Sequence, residues 1–267
     1  MKNMPWYSKL ALGAVIFLPL WFVIGALGTK FGVWTYAIGL VFFVFTAGTW
    51  LLGIVALIGV VALIMALLRK PRSRFQIGIA AAAIILPAAI FAQFIALQGT
   101  ASDNPIHDVA TDTSNPPEFS PEVRRARLQA DANRLNDYQT PLRELDAYAS
   151  SPPELGIKNH AQIITESYAE LSPLPLGGAS REDAVAAVAA AMGNMGFADI
   201  RTDAEAGRVE GVAETFWYGF KDDVVARIGE NQIDFRSVSR VGRSDLGANA
   251  ARIAELRERV AEQIGQR

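Results

Sequence analysis

The 267-residue chain has no cysteine, which excludes a disulfide framework, c-type haem attachment, iron-sulfur ligation and thiol chemistry. It has two histidines, His107 and His160, so the usual nitrogen and sulfur ligands of a transition-metal centre are scarce. Acidic side chains are missing from the first hundred positions, and the first to appear is Asp103. That stretch holds seven Lys or Arg, which leaves 18 basic and 27 acidic residues after Thr100. One part is therefore +7 and the other −9, an asymmetry that points to two parts in two environments and excludes a single globular core. A net charge of −2 offers no basic face for nucleic acid. The chain has no P-loop, no G-x-G-x-x-G and no G-x-S-x-G elbow.

What is present is apolar: 51% of the residues are hydrophobic and 19% charged. Uncharged runs extend from Leu10 to Thr29, from Phe31 to Leu68 and from Phe75 to Ser102. About 20 apolar residues cross a bilayer. Residues 1–100 therefore read as a transmembrane region of three helices, at about 10–29, 34–68 and 75–98. The first run is long, lacks a small-residue cleavage site and is followed by more spans, so it reads as an anchor and not a signal peptide. The middle run admits one long tilted helix or two short spans meeting near Gly48-Thr49-Trp50. One helix is favoured, because a turn inside it would have to satisfy its backbone without water. Six cations (Lys2, Lys9, Arg69, Lys70, Arg72 and Arg74) fall on one side and Lys30 on the other, which by the positive-inside tendency puts the N-terminus in the cytoplasm. The expected location is a bacterial inner membrane, with the acidic part in the periplasm. No ionisable residue lies within the spans, unlike a pump or proton relay. Gly39, Gly48, Gly53 and Gly59 allow close helix approach, within the chain or to another membrane protein.

Residues 101–267 read as an α+β domain. Asn104-Pro105 and Asn115-Pro116-Pro117 favour extended and turn conformations. Helical spacing covers 121–150 and stops at Ser151-Pro152-Pro153, and 157–175 reads as irregular. Ser180 with Asp183 caps a helix whose apolar stripe is Val185, Val188, Ala189, Met192 and Met195, ending at Gly196. Four strands follow, at 198–205, 209–220, 224–229 and 233–241, with turns at 206–208, 221–223 and 230–232. A last helix starts near Ser244 or Asp245 and ends about Gln263. The expected fold is a four-stranded antiparallel sheet with two helices on one face.

Several strings carry a resemblance. Pro105-Ile-His-Asp-Val-Ala-Thr-Asp112 with Asn115-Pro-Pro117, then Gly219-Phe-Lys-Asp-Asp-Val-Val-Ala-Arg-Ile228, then the long string from Asp234-Phe-Arg-Ser-Val-Ser-Arg240 to Ile253 resemble the domain-of-unknown-function family numbered 1499, found in bacteria and plastids. The resemblance covers roughly residues 103–260. Two family elements are altered, to Asn136-Asp-Tyr138 and Tyr168-Ala-Glu-Leu171. The resemblance implies a recurring domain and supplies no activity.

Polar chemistry concentrates at Arg236, Arg240, Arg243, Ser244 and Asn249. On a strand Arg236 and Arg240 share a face with Asp234, and Arg243 stands just before a helix N-terminus, where free N–H groups favour an anion. One reading is an anion site for a phosphate headgroup or carboxylate. The other is a salt-bridged sheet face with Glu210, Glu214 and Arg227 as cross-strand partners. His107, Asp108 and Asp112 are weak candidates for metal ligation, and no cofactor is expected. Asp222 and Asp223 point to opposite strand faces, so they do not form a shared-proton pair and read as hairpin or cap residues. The expectation is a membrane-anchored module with no identified catalytic residue that serves an envelope or membrane complex. Its expected partners are the bilayer and another membrane or envelope protein, and not nucleic acid. A binder of anionic amphiphiles and an anchored enzyme are the alternatives.

Overall fold

The computed structural model describes residues 4–265, so Lys2, one of the cations counted for orientation, lies outside the described residues. Contacts divide the chain into one unit of residues up to Gly99 with Phe216–Gly219, and a second of Thr100–Thr215 with Phe220 onward.

The first unit is built from three helices long and apolar enough to cross a membrane, Trp6–Lys30, Ala37–Leu68 and Arg74–Asp103. Helix α1 is Trp6–Lys30 and α3 is Arg74–Asp103. Between them the uncharged run turns at Gly32 and then continues without a break, first as π-helical turns over Ala37–Thr46 and then as α2, Ala47–Leu68. A π-helical stretch disturbs the regular backbone ladder, and no water reaches a hydrocarbon core to repair it. Side chains supply donors instead: Trp21 Nε1 donates to the Phe43 carbonyl at 2.8 Å and Thr46 Oγ1 to the Val41 carbonyl at 3.1 Å.

Small residues fill the helix contacts, with Ala11, Ala62, Ala66, Ala80 and Ala83 buried alongside Leu18, Leu52 and Val55. At Gly59 the helices meet so closely that an added Cβ would stand 2.8 Å from the Ala83 carbonyl carbon. Gly48 similarly faces the Phe22 ring, whereas Gly53 looks into open space. These are the contacts by which helices associate in lipid, where no hydrophobic force draws them together.

The second unit is an α+β domain. Its antiparallel sheet has six strands: β1 (Asp108–Ala110), β2 (Leu174–Pro175), β3 (Ala198–Asp203), β4 (Arg208–Glu214), β5 (Lys221–Ile228) and β6 (Gln232–Ser239). The order is β1-β6-β5-β4-β3, with β2 also pairing β6. The expected four strands are thus extended by two more, β1 and β2. With three and two residues each they are too short to show a period of two in sequence, and Pro175 is tolerated because β2 lies on an edge.

Helices α7 (Arg181–Asn194) and α8 (Ala248–Gln263) cover one face. Val185, Val188, Met192, Ile253, Leu256 and Val260 meet Val209, Val224, Ala226, Ile228, Ile233 and Phe235 there. The other face is not bare: helix α4 (Pro121–Gln129), capped by Ser120, lays Val123 with Phe119 on Val225 and Val238. Two short helices, α5 (Pro153–Gly156) and α6 (His160–Ser167), complete the domain.

Four local expectations are corrected. Lys221-Asp222-Asp223 is the start of β5 and not a turn. The chain reverses over Thr215–Phe220, where Gly219 adopts φ +65°, and the aromatic run 216–218 had read as continued strand. Helix stops at Gln129 instead of continuing to 150, because Asp131 takes φ +48° and the following loop bonds to tertiary partners. The irregular stretch 157–175 contains α6, whose capping box of Asn159 and Gln162 is the signal to be read there.

Gly59→Leu forces four carbons into a contact that does not admit one, and overpacking of this kind costs roughly 1–3 kcal/mol. The full chain in detergent is expected to melt at a lower temperature with this change and to be unaffected by Gly53→Leu; equal melting of the two variants would refute the packing assignment.

Candidate functional site

The register of β1 on β6 pairs Asp108 with Val238, which sets its carboxylate one diagonal step from Arg236 on the same face. The pair is bidentate, Arg236 Nε to Oδ1 at 2.9 Å and Nη2 to Oδ2 at 2.7 Å. Tyr138 Oη donates to Oδ1 at 2.5 Å and the Asn136 backbone N–H to Oδ2 at 3.2 Å. The Tyr138 ring lies 5.1 Å from the guanidinium carbon. Burial works to raise the Asp108 carboxyl, but the charge and hydrogen bonds of Arg236 outweigh it and hold the group down at about 2. Arg236 is correspondingly stabilised as a cation, because Asp108 overrides its desolvation.

Beside this pair the fold gathers both histidines of the chain. His107 is 1% exposed and His160, the first residue of α6, is 0% exposed. His107 Nδ1 meets the Tyr148 hydroxyl at 2.7 Å, with the two rings stacked 5.6 Å apart. His160 Nε2 meets Asn136 Nδ2 at 3.2 Å, stacks on Tyr138 and takes the edge of Tyr148. Desolvation lowers both imidazoles, His160 to about 4, so both are neutral at physiological pH. Burial raises the Tyr138 and Tyr148 hydroxyls. Among the described residues, His107 Nε2 and His160 Nδ1 have no hydrogen-bond partner.

The surface next to this cluster is a concavity of about 360 Å³ lined by residues 131–136 and 144–147. Asn136 belongs to both: it lines the concavity while its backbone and side chain hold Asp108 and His160. A shallower depression of about 200 Å³ lies by Ser120, Arg201 and Arg208.

The remaining charges pair across the sheet. On the α4 face, Asp223 receives Arg127 at 2.6 Å and Arg240 at 2.6 Å, and Arg227 bridges Asp234 and Asp112. On the α8 face, Asp222 receives Arg252 at 2.7 Å. Adjacent on β5, the two aspartates thus serve opposite faces, Asp222 with one arginine and Asp223 with two.

The sequence-derived candidates fall as follows. Arg236 is buried on Asp108 and Arg240 is half-buried on Asp223. Asn249 is buried, donating to the His107 carbonyl and Ser239 Oγ and accepting from Ser237 Oγ. Ser244 Oγ donates to the Asn104 carbonyl at 2.6 Å. Arg243 is exposed, with Nη1 3.4 Å from Ser150 Oγ. Arg236 takes Asp108 as its partner, while Glu210 accepts the Ser120 backbone N–H. His107 and Asp108 are neighbours, but Asp112 is spent on Ser114, Asn115 and Arg227. Among the described residues, no group of three His, Asp or Glu stands where it could hold a metal ion. Sequence reasoning missed Asn136, Tyr148, His160 and Arg127 as members of one polar interior, since they come from separate loops and helices and share no spacing.

The model of a family described as Protein of unknown function (DUF1499) matches residues 108–260, the stretch that holds nearly all of these groups. No curated protein and no solved structure matches the chain.

The neutral imidazoles make stability depend on pH with a definite sign. Between the ordinary value of 6.5 and about 4, the unfolded state binds a proton at His160 that the folded state does not. Stability is therefore lost as pH falls through that window, by up to roughly 3 kcal/mol from this residue. His107 acts in the same direction. Melting of the full chain in detergent should drop between about pH 7 and about pH 4.5, and drop less for His160→Gln; an undiminished pH dependence in that variant would rule the imidazole out as its source.

Proposed function

We propose that this chain, which belongs to the DUF1499 family, is a non-enzymatic, membrane-anchored interaction or accessory module of the bacterial inner membrane. In this reading the N-terminus is cytoplasmic, the domain from about residue 101 is periplasmic, and its partner is another membrane or envelope protein. Orientation rests on the cations Lys9, Arg69, Lys70, Arg72 and Arg74 gathered at the two helix ends that share a side, against Lys30 opposite.

One observation carries the interaction reading: the buried polar groups are spent on fixing a loop. Asp108 holds Asn136 and Tyr138, His107 holds Tyr148, and His160 holds Asn136. Residues 131–148, with only two short 3-10 turns, are thereby locked onto the sheet, and their outer side lines the 360 Å³ concavity. A loop immobilised by a rigid scaffold is how folds present binding surfaces, and a pre-ordered loop reduces the entropy cost of docking.

The test is a photo-crosslinking residue placed at Leu135 or Ala147 in native membranes, with external protease applied to spheroplasts in parallel. Adducts to one defined membrane or envelope protein, with digestion of the domain from outside, are the expected result. A protected domain would overturn the orientation, and the absence of any discrete adduct would overturn the docking surface.

A second reading, a binder of anionic headgroups, is favoured by Arg243 alone, which is exposed while Arg240 is held by Asp223. Arg243→Gln should then weaken binding of the full chain to anionic vesicles without changing its melting point. Arg240→Gln should instead lower stability, because it removes two charge-assisted hydrogen bonds to the buried Asp223 and leaves Arg127 as its one cationic partner among the described residues. Unaltered vesicle binding in Arg243→Gln would dismiss this reading.

A further inference from the structure

The β4–β5 hairpin ends in Thr215-Phe-Trp-Tyr-Gly-Phe220, and at its tip Phe216 is 71% and Trp217 52% exposed. Trp217 is the single tryptophan after Trp50. The other large apolar side chains exposed on this domain, Leu128, Ile157 and Leu246, stand singly and are aliphatic. Isolated exposed aliphatics are ordinary, but two adjacent aromatics at a loop tip are not. The tip is held in shape: Thr215 N–H donates to the Phe220 carbonyl and Phe220 N–H to Thr215 Oγ1, both at 2.9 Å, with Gly219 in the left-handed region.

The sheet register says which end of the domain this is. Asp108, the first residue of β1, pairs with Val238, Val238 pairs with Asp223, and Asp223 pairs with Val212, two residues from the end of β4. The chain coming from the last membrane helix therefore enters the sheet at the same end as the aromatic tip. Only residues 104–107 separate α3 from β1, a reach of roughly 17 Å even when fully extended. Asn104 is itself bonded to Tyr168 Oη and Ser244 Oγ of the domain. The two turns at the opposite end of the sheet, at 204–207 and 229–231, are polar and carry Glu205 and Glu230. Exposed Lys221 follows the aromatic tip, and exposed Arg243 leaves β6 at that same end. Trp217, with an apolar body and a polar N–H, beside the wholly apolar ring of Phe216 and flanked by cations, matches the chemistry of the bilayer interface, where rings sit among headgroups and cations meet phosphates.

We propose that Phe216 and Trp217 form an aromatic finger that inserts into the headgroup layer of the bilayer in which the chain is anchored, so that the domain is held at two points, by α3 and by the β4–β5 tip. The occupant is lipid, not protein. This rests on the membrane anchoring in the reading above, but not on its orientation or its partner.

The absence of cysteine makes the test direct. Single-cysteine variants Phe216→Cys and Trp217→Cys of the full chain, each spin-labelled in phosphatidylethanolamine–phosphatidylglycerol nanodiscs, report lipid exposure as the ratio of relaxation by oxygen to that by a water-soluble nickel chelate. Ile157→Cys and Glu205→Cys serve as aqueous references and Gly53→Cys as the lipid reference. The ratio at one or both tip positions should be severalfold above that of the aqueous references. A tip ratio equal to theirs, with Gly53→Cys in lipid, would overturn the finger and leave the anchor standing. Tip labels shielded from both reagents would mean a protein contact and would also overturn it. An aqueous Gly53→Cys label would overturn the anchor and the finger together.

Discussion

The domain depends on one buried negative charge. Asp108 is fully enclosed where the chain first meets the sheet, and an isolated carboxylate in that position would cost several kcal/mol. It is tolerated because Arg236 meets it with two parallel hydrogen bonds while Tyr138 and a backbone N–H satisfy the remaining lone pairs. Those donors come from two separate parts of the chain, Arg236 from β6 and the other two from the loop after α4. Satisfying the charge therefore requires β1 to lie on β6 in one register and the loop after α4 to fold over both. A buried pair of this kind adds little net stability over a well-packed apolar pair, but an arrangement that leaves the carboxylate unpaired is heavily penalised.

The same logic extends outward from Asp108. Asp223 balances Arg127 from α4 and Arg240 from β6, so the helix on that face is joined to the sheet by charge as well as by Val123 and Phe119. On the opposite face Asp222 takes Arg252 from α8, and Asn249 bonds Ser237, Ser239 and the His107 carbonyl. The histidines sit inside this framework as neutral rings packed on tyrosines. The first unit solves the reverse problem: its helices, apolar enough to cross a membrane, carry charge only near their ends, and Trp21, Thr46 and Thr49 donate to backbone carbonyls within the unit.

Where an element is long and repeats its apolar positions, its sequence is readable. The apolar helices, α7 and α8, and the successive antiparallel pairing of β3 with β4, β4 with β5 and β5 with β6 follow from runs of about 20 or more uncharged residues, from i, i+3, i+4 spacing and from turn residues between alternating segments. Boundaries blurred where composition misled: Phe216-Trp217-Tyr218 is strand-like in type yet forms a turn, and Lys221-Asp222-Asp223 is turn-like in type yet forms a strand. In both cases burial decided. The two aspartates are drawn into the sheet by arginines more than fifteen residues away in sequence, while Phe216 and Trp217 stay exposed.

The sequence by itself determined that the chain divides at about residue 100 into an apolar part without acidic residues, with runs of membrane length, and an acidic α+β part, because charge and hydrophobic period are local properties that any window displays. It also determined that Arg236 and Arg240 share a sheet face, since alternation along a strand is a local rule. Only the tertiary structure decided that Arg236 answers to Asp108, that Asp223 serves two arginines, and that His107, His160, Tyr138 and Tyr148 occupy one interior. Pairings across 17 to 128 positions leave no periodic trace. They are chosen by which charges and hydrogen bonds must be satisfied once water has been excluded.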